Sequence, residues 1–215
     1  MLELGFKIFI SYLAGSLNGA LLVGRLFGGV DIRKVGSGNA GGTNALRTQG
    51  LPFALPVMIV DVAKGILPVI LLPSLVVPLI PLDPYISREW LAFACGAATI
   101  FGHCYPVWFE FAGGKGAATT IGVLAGIAPG LVMPVCAVWI VSLLISGYVG
   151  LATMLAAASL PVYVLLTAWP EESGLVLFTA VVAAFIVYTH RSNIRGLLAG
   201  ETRRDISFSL FGRFG

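Results

Sequence analysis

Charge is scarce in this sequence. Charged residues make up 11% of the 215 positions against 58% hydrophobic, and the mean hydropathy is +0.96. An ordinary soluble domain carries about 25% charged residues, so that class is excluded. A net charge of +3 spread over loops speaks to membrane orientation and to anionic lipid or substrate, and excludes a nucleic-acid binder. Cysteine is also rare: Cys95, Cys104 and Cys136 lie in apolar or aromatic surroundings without C-x-x-C spacing, which excludes a disulfide framework and a zinc site and leaves small buried thiols. The N-terminus lacks a basic n-region and an A-x-A exit, so it reads as a first span and not as a cleaved leader. No G-x-S-x-G elbow, no H-E-x-x-H and no carboxylate cluster suited to magnesium or zinc is present, so a metal-free, cofactor-free chemistry without a conventional triad is expected. Trp108 stands where the histidine-plus-four motif of a large acyltransferase group, begun at His103, needs its aspartate.

Long apolar runs fill the space these absences leave. At roughly 20 residues per spanning helix, the chain holds about five to seven spans and no separate soluble domain, so residues 1–215 read as a single transmembrane domain. The expected fold is all-α and polytopic, with about seven transmembrane helices. The segments are Leu4 to Phe27, Leu51 to Val77, Glu89 to Phe111, Ala117 to Ala128, Leu131 to Ile145, Leu151 to Trp169 and Leu175 to Thr189, the pair after Gly116 being short. Basic residues set the topology. Arg25, Arg33, Lys34 and Arg47, then Lys115, then Arg191, Arg195, Arg203, Arg204 and Arg213 fall on one side, while Asp83, Arg88, Glu89, Glu171 and Glu172 fall on the other. The positive-inside rule then puts the N-terminus outside and the C-terminus in the cytoplasm. Merging Ala117 to Ile145 into one span would strand the basic tail beside Glu171 and Glu172. Thr43, Lys115 and His190 therefore share the cytoplasmic face. No fixed-period repeat is visible, and Gly15, Gly19, Gly24 and Gly28 in the first span read as packing residues.

The polar stretches carry the chemistry. "GSGNAGGTNALRTQG", Gly36 to Gly50, offers glycines whose amides can converge into a nest, side chains of Ser37, Asn39, Thr43 and Asn44, and the cation Arg47; all favour a phosphate. If the second span begins near Thr43, its N-terminal amides face the same ligand. The alternative is a glycine-rich turn with capping Asn and Ser. In "GHCYPVWFEFAGGKGAATT", Gly102 to Thr120, Lys115 sits among Gly113, Gly114 and Gly116, followed by Thr119 and Thr120. Phe109 stands where a Walker loop needs glycine, so a nucleotide P-loop is disfavoured. His103 is open as ligand, base or hydrogen-bonding helix residue. In "THRSNIRGLLAGETRR", Thr189 to Arg204, His190 and Asn193 lie three apart on a helix. Most of the arginines are explained by lipid headgroups and orientation, whereas His190, Asn193 and Glu201 are not. Within the second span, Asp61 and Lys64 are one turn apart. They form either a bundle-stabilising ion pair or the border of the polar site.

Together these stretches resemble, end to end and in order, the motifs of the bacterial membrane glycerol-3-phosphate acyltransferases that use acyl phosphate, the PlsY family. Gly42 and Ala117 replace the family's usual alanine and valine, and neither change removes a polar group. The resemblance implies acyl transfer from acyl phosphate to the 1-hydroxyl of glycerol 3-phosphate, giving lysophosphatidic acid and phosphate at the bacterial inner membrane. It assigns the glycerol 3-phosphate phosphate to Arg47, Lys115, His190 and Asn193 with Ser37 assisting, and the acyl phosphate group to Gly38, Asn39, Gly41, Thr43 and Asn44. Lys64, His103, Gly114, Gly116, Thr119 and Glu201 complete the expected substrate-binding set. The partners implied are both substrates, membrane lipid and, as a candidate at the basic face, the soluble enzyme that makes acyl phosphate. An anion transporter is the competing class, since glycine-lined broken helices occur there too. Clustering of the motifs at one face, where a transporter places its site near the midplane in paired halves, favours the enzyme.

Overall fold

A computed structural model describes residues 1–202, and Arg203, Arg204 and Arg213 lie outside the described residues. Among those described, the regular structure is helical throughout. Four helices are long and apolar enough to cross a membrane, or up to six if each bent helix pair is one span, with Ala117–Ile127 a shorter apolar helix. The chain divides into two compact units, Met1–Pro129 and the residues from Gly130 onward.

In the first unit, the first apolar run is not one helix. It forms α1, Leu2–Gly15, and α2, Gly19–Leu26, bent by 45°. Asn18 causes the restart: in extended conformation, its side chain accepts from the Leu21 amide at 3.2 Å and so caps α2. The polar stretch that follows forms α3, Gly42–Gln49, separated from α4, Leu51–Leu71, by Gly50 at φ +79. Thr43 therefore opens a helix of its own and not the second span. Helix α5, Arg88–Cys104, runs into a 3-10 turn at Val107–Phe109, and α6 is Ala117–Ile127. Helices α4 and α6 pack closely because Gly65 and Gly122 face each other's backbones. Gly15 meets the Thr99 backbone and Gly19 the Val57 carbonyl, the packing role expected of them.

The loop after α2 is held by a small apolar core. Ile32, Ala40 and Ala45 are fully buried with Val57, Phe53 and Leu21, and Phe109 of the second polar loop inserts into the same cluster. A loop with this much buried side chain keeps a fixed shape. At the end of α5 distant from His103, Lys7 pairs with Glu3 at 2.7 Å, Arg88 pairs with Glu3 at 2.5 Å, and the terminal amine pairs with Asp83. Cys95 and Cys104 are buried and Cys136 half-buried, all as free thiols.

The second unit contains α7, Val132–Ser146, α8, Val149–Ala168, α9, Ser173–Thr189, and α10, Arg191–Leu198. With a leading 3-10 turn, the α7 segment reaches 18 residues, enough to count as a candidate span. Helix α8 packs on both α7 and α9, and the Trp139 indole donates to the Thr153 hydroxyl at 3.1 Å. The chain bends by 54° between α9 and α10, where the apolar run gives way to His190 and Arg191.

Candidate active site

The first loop is organised by Asn44. This buried side chain accepts from the Ser37 amide at 3.0 Å and donates toward the carbonyls of Ile32, Val35 and Asn39 at 3.1, 3.0 and 3.1 Å. Its polar atoms are thus directed at the loop itself, and the loop is wrapped around them. Ser37, Gly38, Thr43 and Arg47 are left exposed on the outer side. Thr43 and Arg47 are one turn apart on α3, so they share a face. Asp31 caps the preceding turn: its carboxylate accepts from the Arg33 amide at 3.0 Å and from the Arg33 guanidinium at 3.0 Å. That guanidinium beside it holds the Asp31 carboxyl below its ordinary value.

The second loop folds back on the end of α5. The Gly113 amide donates to the Cys104 carbonyl at 3.1 Å and the Gly114 amide to the His103 carbonyl at 3.2 Å. Gly116, at φ +91, turns the chain into α6, which has no side-chain cap. Half-buried Lys115 thus precedes a helix N-terminus, where partial positive charge and open amides favour an anion. Thr119 lies one turn further on and is fully buried; its hydroxyl and that of Thr120 have no hydrogen-bond partner among the described residues.

The two loops meet. Arg33 donates across to the Phe109 carbonyl at 3.1 Å, Arg25 stacks on the Phe109 ring at 4.6 Å, and Gly114 lies directly against the Ala40 carbonyl and the His103 ring. Any side chain at 114 would collide there. Lys64 and His103 are buried below this junction, paired with Asp61.

In the second unit, His190 sits buried at the α9 to α10 bend with its Nδ1 against the Ile186 carbonyl at 2.8 Å. That bond helps to fix the ring orientation. Asn193 follows in the first turn of α10, where its amide nitrogen donates from the backbone to the His190 carbonyl at 2.8 Å. Its side chain lies against Gly150 of α8, and a Cβ at 150 would overlap it. Gly150 was not among the expected site residues; the "SGYVG" turn that contains it is the only sequence signal. Arg191 stacks on Tyr188 at 4.6 Å, in keeping with an interfacial anchor. Glu201 is exposed after α10.

A polytopic helical membrane protein with glycine-bedded cationic loops fits a membrane transferase acting on phosphate-bearing substrates. The comparisons settle the class. The chain matches the glycerol-3-phosphate acyltransferase family over residues 6–200. It is 38% identical to the glycerol-3-phosphate acyltransferase of Chlorobium phaeobacteroides over 91% of this chain and 93% of that one. It is 39% identical to that of Pseudomonas paraeruginosa over 90% and 95%. The crystal structure of PlsY, an integral membrane glycerol 3-phosphate acyltransferase, in its glycerol 3-phosphate form superposes with TM-score 0.79 at 32% identity, covering 94% of both chains. Its lysophosphatidic acid form gives 0.78 at 31%. The chain belongs to the PlsY family of glycerol-3-phosphate acyltransferases and is an integral membrane acyltransferase.

Proposed function

We propose that this enzyme transfers a fatty acyl group from acyl phosphate to the 1-hydroxyl of glycerol 3-phosphate, releasing lysophosphatidic acid and inorganic phosphate. The observation that supports this most is the meeting of the two glycine loops at Ala40 and Gly114, which sets two phosphate-suited surfaces side by side. A reaction with one phosphate on each substrate needs that arrangement. The crystal forms of PlsY with glycerol 3-phosphate and lysophosphatidic acid support the acceptor and product.

Exposed Arg47 and half-buried Lys115, with Ser37 assisting, neutralise the glycerol 3-phosphate phosphate. The family motif assigns His190 and Asn193, in the second unit, a part in binding glycerol 3-phosphate. The family motif assigns the acyl phosphate group to Gly38, Asn39, Gly41 and Thr43; the Gly38 and Gly41 amides donate within the loop to the Val35 and Asn39 carbonyls at 3.1 and 2.9 Å, so Asn39 and Thr43 offer side chains while Asn44 holds the loop in shape. Gly116 and Gly114 bring the α6 amides and Lys115 to the anion, and Thr119 and Glu201 complete the proposed substrate-binding set. The acceptor oxygen attacks the acyl carbonyl, the new C–O ester bond forms, the bond to the phosphate oxygen breaks, and the acceptor proton passes to the departing phosphate. The mixed anhydride is already activated, so positioning and charge neutralisation supply the rate enhancement without a metal or a protein base. The basic loops support a site at the cytoplasmic side of the inner membrane, with the N-terminus outside, the C-terminus inside and about seven spans in one acyltransferase domain.

The test is turnover by purified protein in detergent with palmitoyl phosphate and glycerol 3-phosphate under a chelator, following both products. Equal release of phosphate and lysophosphatidic acid is expected. No turnover with acyl phosphate, together with turnover on an acyl thioester, would overturn the donor assignment.

A further inference from the structure

The break in the first span exposes backbone groups to an apolar interior, where each must find a partner. They find it in α4. The Lys64 ammonium donates to the Leu17 carbonyl at 3.1 Å, and the Gly19 amide donates to Asp61 Oδ1 at 3.0 Å. Lys64 and Asp61 pair at 2.8 Å, and the third Lys64 donor meets His103 Nδ1 at 2.9 Å. An ammonium offers three donors and no acceptor, and the same His103 Nδ1 also lies 3.3 Å from Asp61 Oδ1. Lys64 therefore has a partner for every donor inside the protein.

On its other side, the same block supports the loops. The His103 ring edge at Nε2 and the Ala40 carbonyl are the surfaces against which Gly114 rests. Asn18, at the break, donates to that Ala40 carbonyl at 3.2 Å while its oxygen caps α2. Relative exposure is 0% for Asn18 and Asp61, 3% for His103 and 7% for Lys64. Stability alone does not call for such a block, because well-packed apolar side chains in place of a buried ion pair are often as stable. A fixed hydrogen-bonded geometry is what apolar packing would not supply.

We infer that Asn18, Asp61, Lys64 and His103 are positioning residues for acyl transfer, touching neither substrate and setting the separation of the two phosphate loops from beneath Ala40 and Gly114. The inference rests on the proposal that those loops bind the substrates. Misplacement of reacting groups by about 1 Å costs on the order of 100-fold in rate, so loosening this block lowers kcat more than it raises either KM.

The test compares Asn18→Ser with Asn18→Ala in the full-length purified enzyme. Serine still caps a helix but is too short to reach Ala40. A merely structural cap is restored by serine, whereas positioning is not. The expected result is an unfolding temperature close to wild type for Asn18→Ser, with kcat reduced about tenfold or more in both variants and each KM within about threefold. Wild-type kcat in Asn18→Ser would overturn the inference. Should the Asn18 variants fail to fold, the neutral pair Asp61→Asn with Lys64→Met gives the reading: folded protein with kcat down at least about tenfold supports it, and kcat within about twofold overturns it. Lys115→Ala runs beside them. If Lys115→Ala is inactive and Asn18→Ser fully active, the positioning role alone falls; if Lys115→Ala is fully active, the loop assignment falls and takes the positioning role with it.

Discussion

Replacing Gly114 by alanine perturbs the junction of the two loops at one atom. An ideal Cβ there lies 2.7 Å from the Ala40 carbonyl oxygen and closer still to His103 Nε2. Ordinary contact needs about 3.5 Å, so the chain must withdraw by roughly 0.8 Å from the Ala40 carbonyl and by more from the His103 ring. The obstacles give little: one is backbone bonded to Asn18 and the other a buried ring bonded to Lys64. Overpacking of this kind costs about 1–3 kcal/mol of stability, which leaves a folded protein. The displacement itself is the larger effect, on the order of 10- to 100-fold in kcat, because it separates the groups that must align two phosphates. Initial rates of phosphate release at saturating substrates measure it, with Gly130→Ala as control because a Cβ at Gly130 meets nothing within 4 Å. A folded Gly114→Ala enzyme with kcat within about twofold of wild type would refute the reasoning.

Further outcomes follow from other parts of the molecule. Gly150→Ala pushes on Asn193 and is expected to raise KM for glycerol 3-phosphate while leaving that for acyl phosphate unchanged; steady-state kinetics in each substrate decide it, and an equal rise in both would count against the assignment of Asn193. Glu3→Ala strands buried Lys7 without its carboxylate partner and is expected to cost about 3–5 kcal/mol in stability. Activity per folded molecule should be unchanged, since Glu3 lies by Arg88 at the far end of α5, and denaturant or thermal unfolding beside turnover checks both halves. The Asp31 carboxyl is held below its ordinary 3.8 by Arg33, so its stabilisation is present above that value and lost as pH falls through the lower folded pKa. The stability difference between wild type and Asp31→Asn is therefore expected to hold constant from neutral pH down to about pH 4 and to shrink only below it; disappearance by about pH 5 would contradict the pairing.

Much of this architecture was legible in the residues because apolar length and loop charge act locally. Each apolar run carries helix, although α4 stops at Leu71 and α5 at Cys104, short of the expected Val77 and Phe111, and the first glycine-rich stretch is part loop and part α3. The break of the first span was less visible. Its signal, the Ser16 to Gly19 stretch with a capping asparagine, is an ordinary helix start that hydrophobicity overrides in a membrane-length run. Gly50 likewise separates α3 from α4 through a positive φ that composition does not reveal. Asn44 reads as a ligand because an asparagine in a polar loop offers both donors and acceptors; only the fold shows that the loop itself uses them. Glu3, Lys7 and Arg88 were invisible as a group, since Arg88 lies 85 positions from Glu3 and pairing over that separation is decided by helix packing. The Asp61 and Lys64 pair was legible from its one-turn spacing, whereas its links to Asn18 and His103 required α1, α4 and α5 to be assembled.

The central claim is that the two glycine loops hold the substrates' phosphates for direct transfer from acyl phosphate. Its most direct test is kcat/KM for wild type, Arg47→Ala and Lys115→Ala with palmitoyl phosphate and glycerol 3-phosphate under a chelator. Phosphate and lysophosphatidic acid are expected one for one in the wild type, with losses of about 100-fold or more in each folded variant. Turnover near wild type in either variant would contradict it.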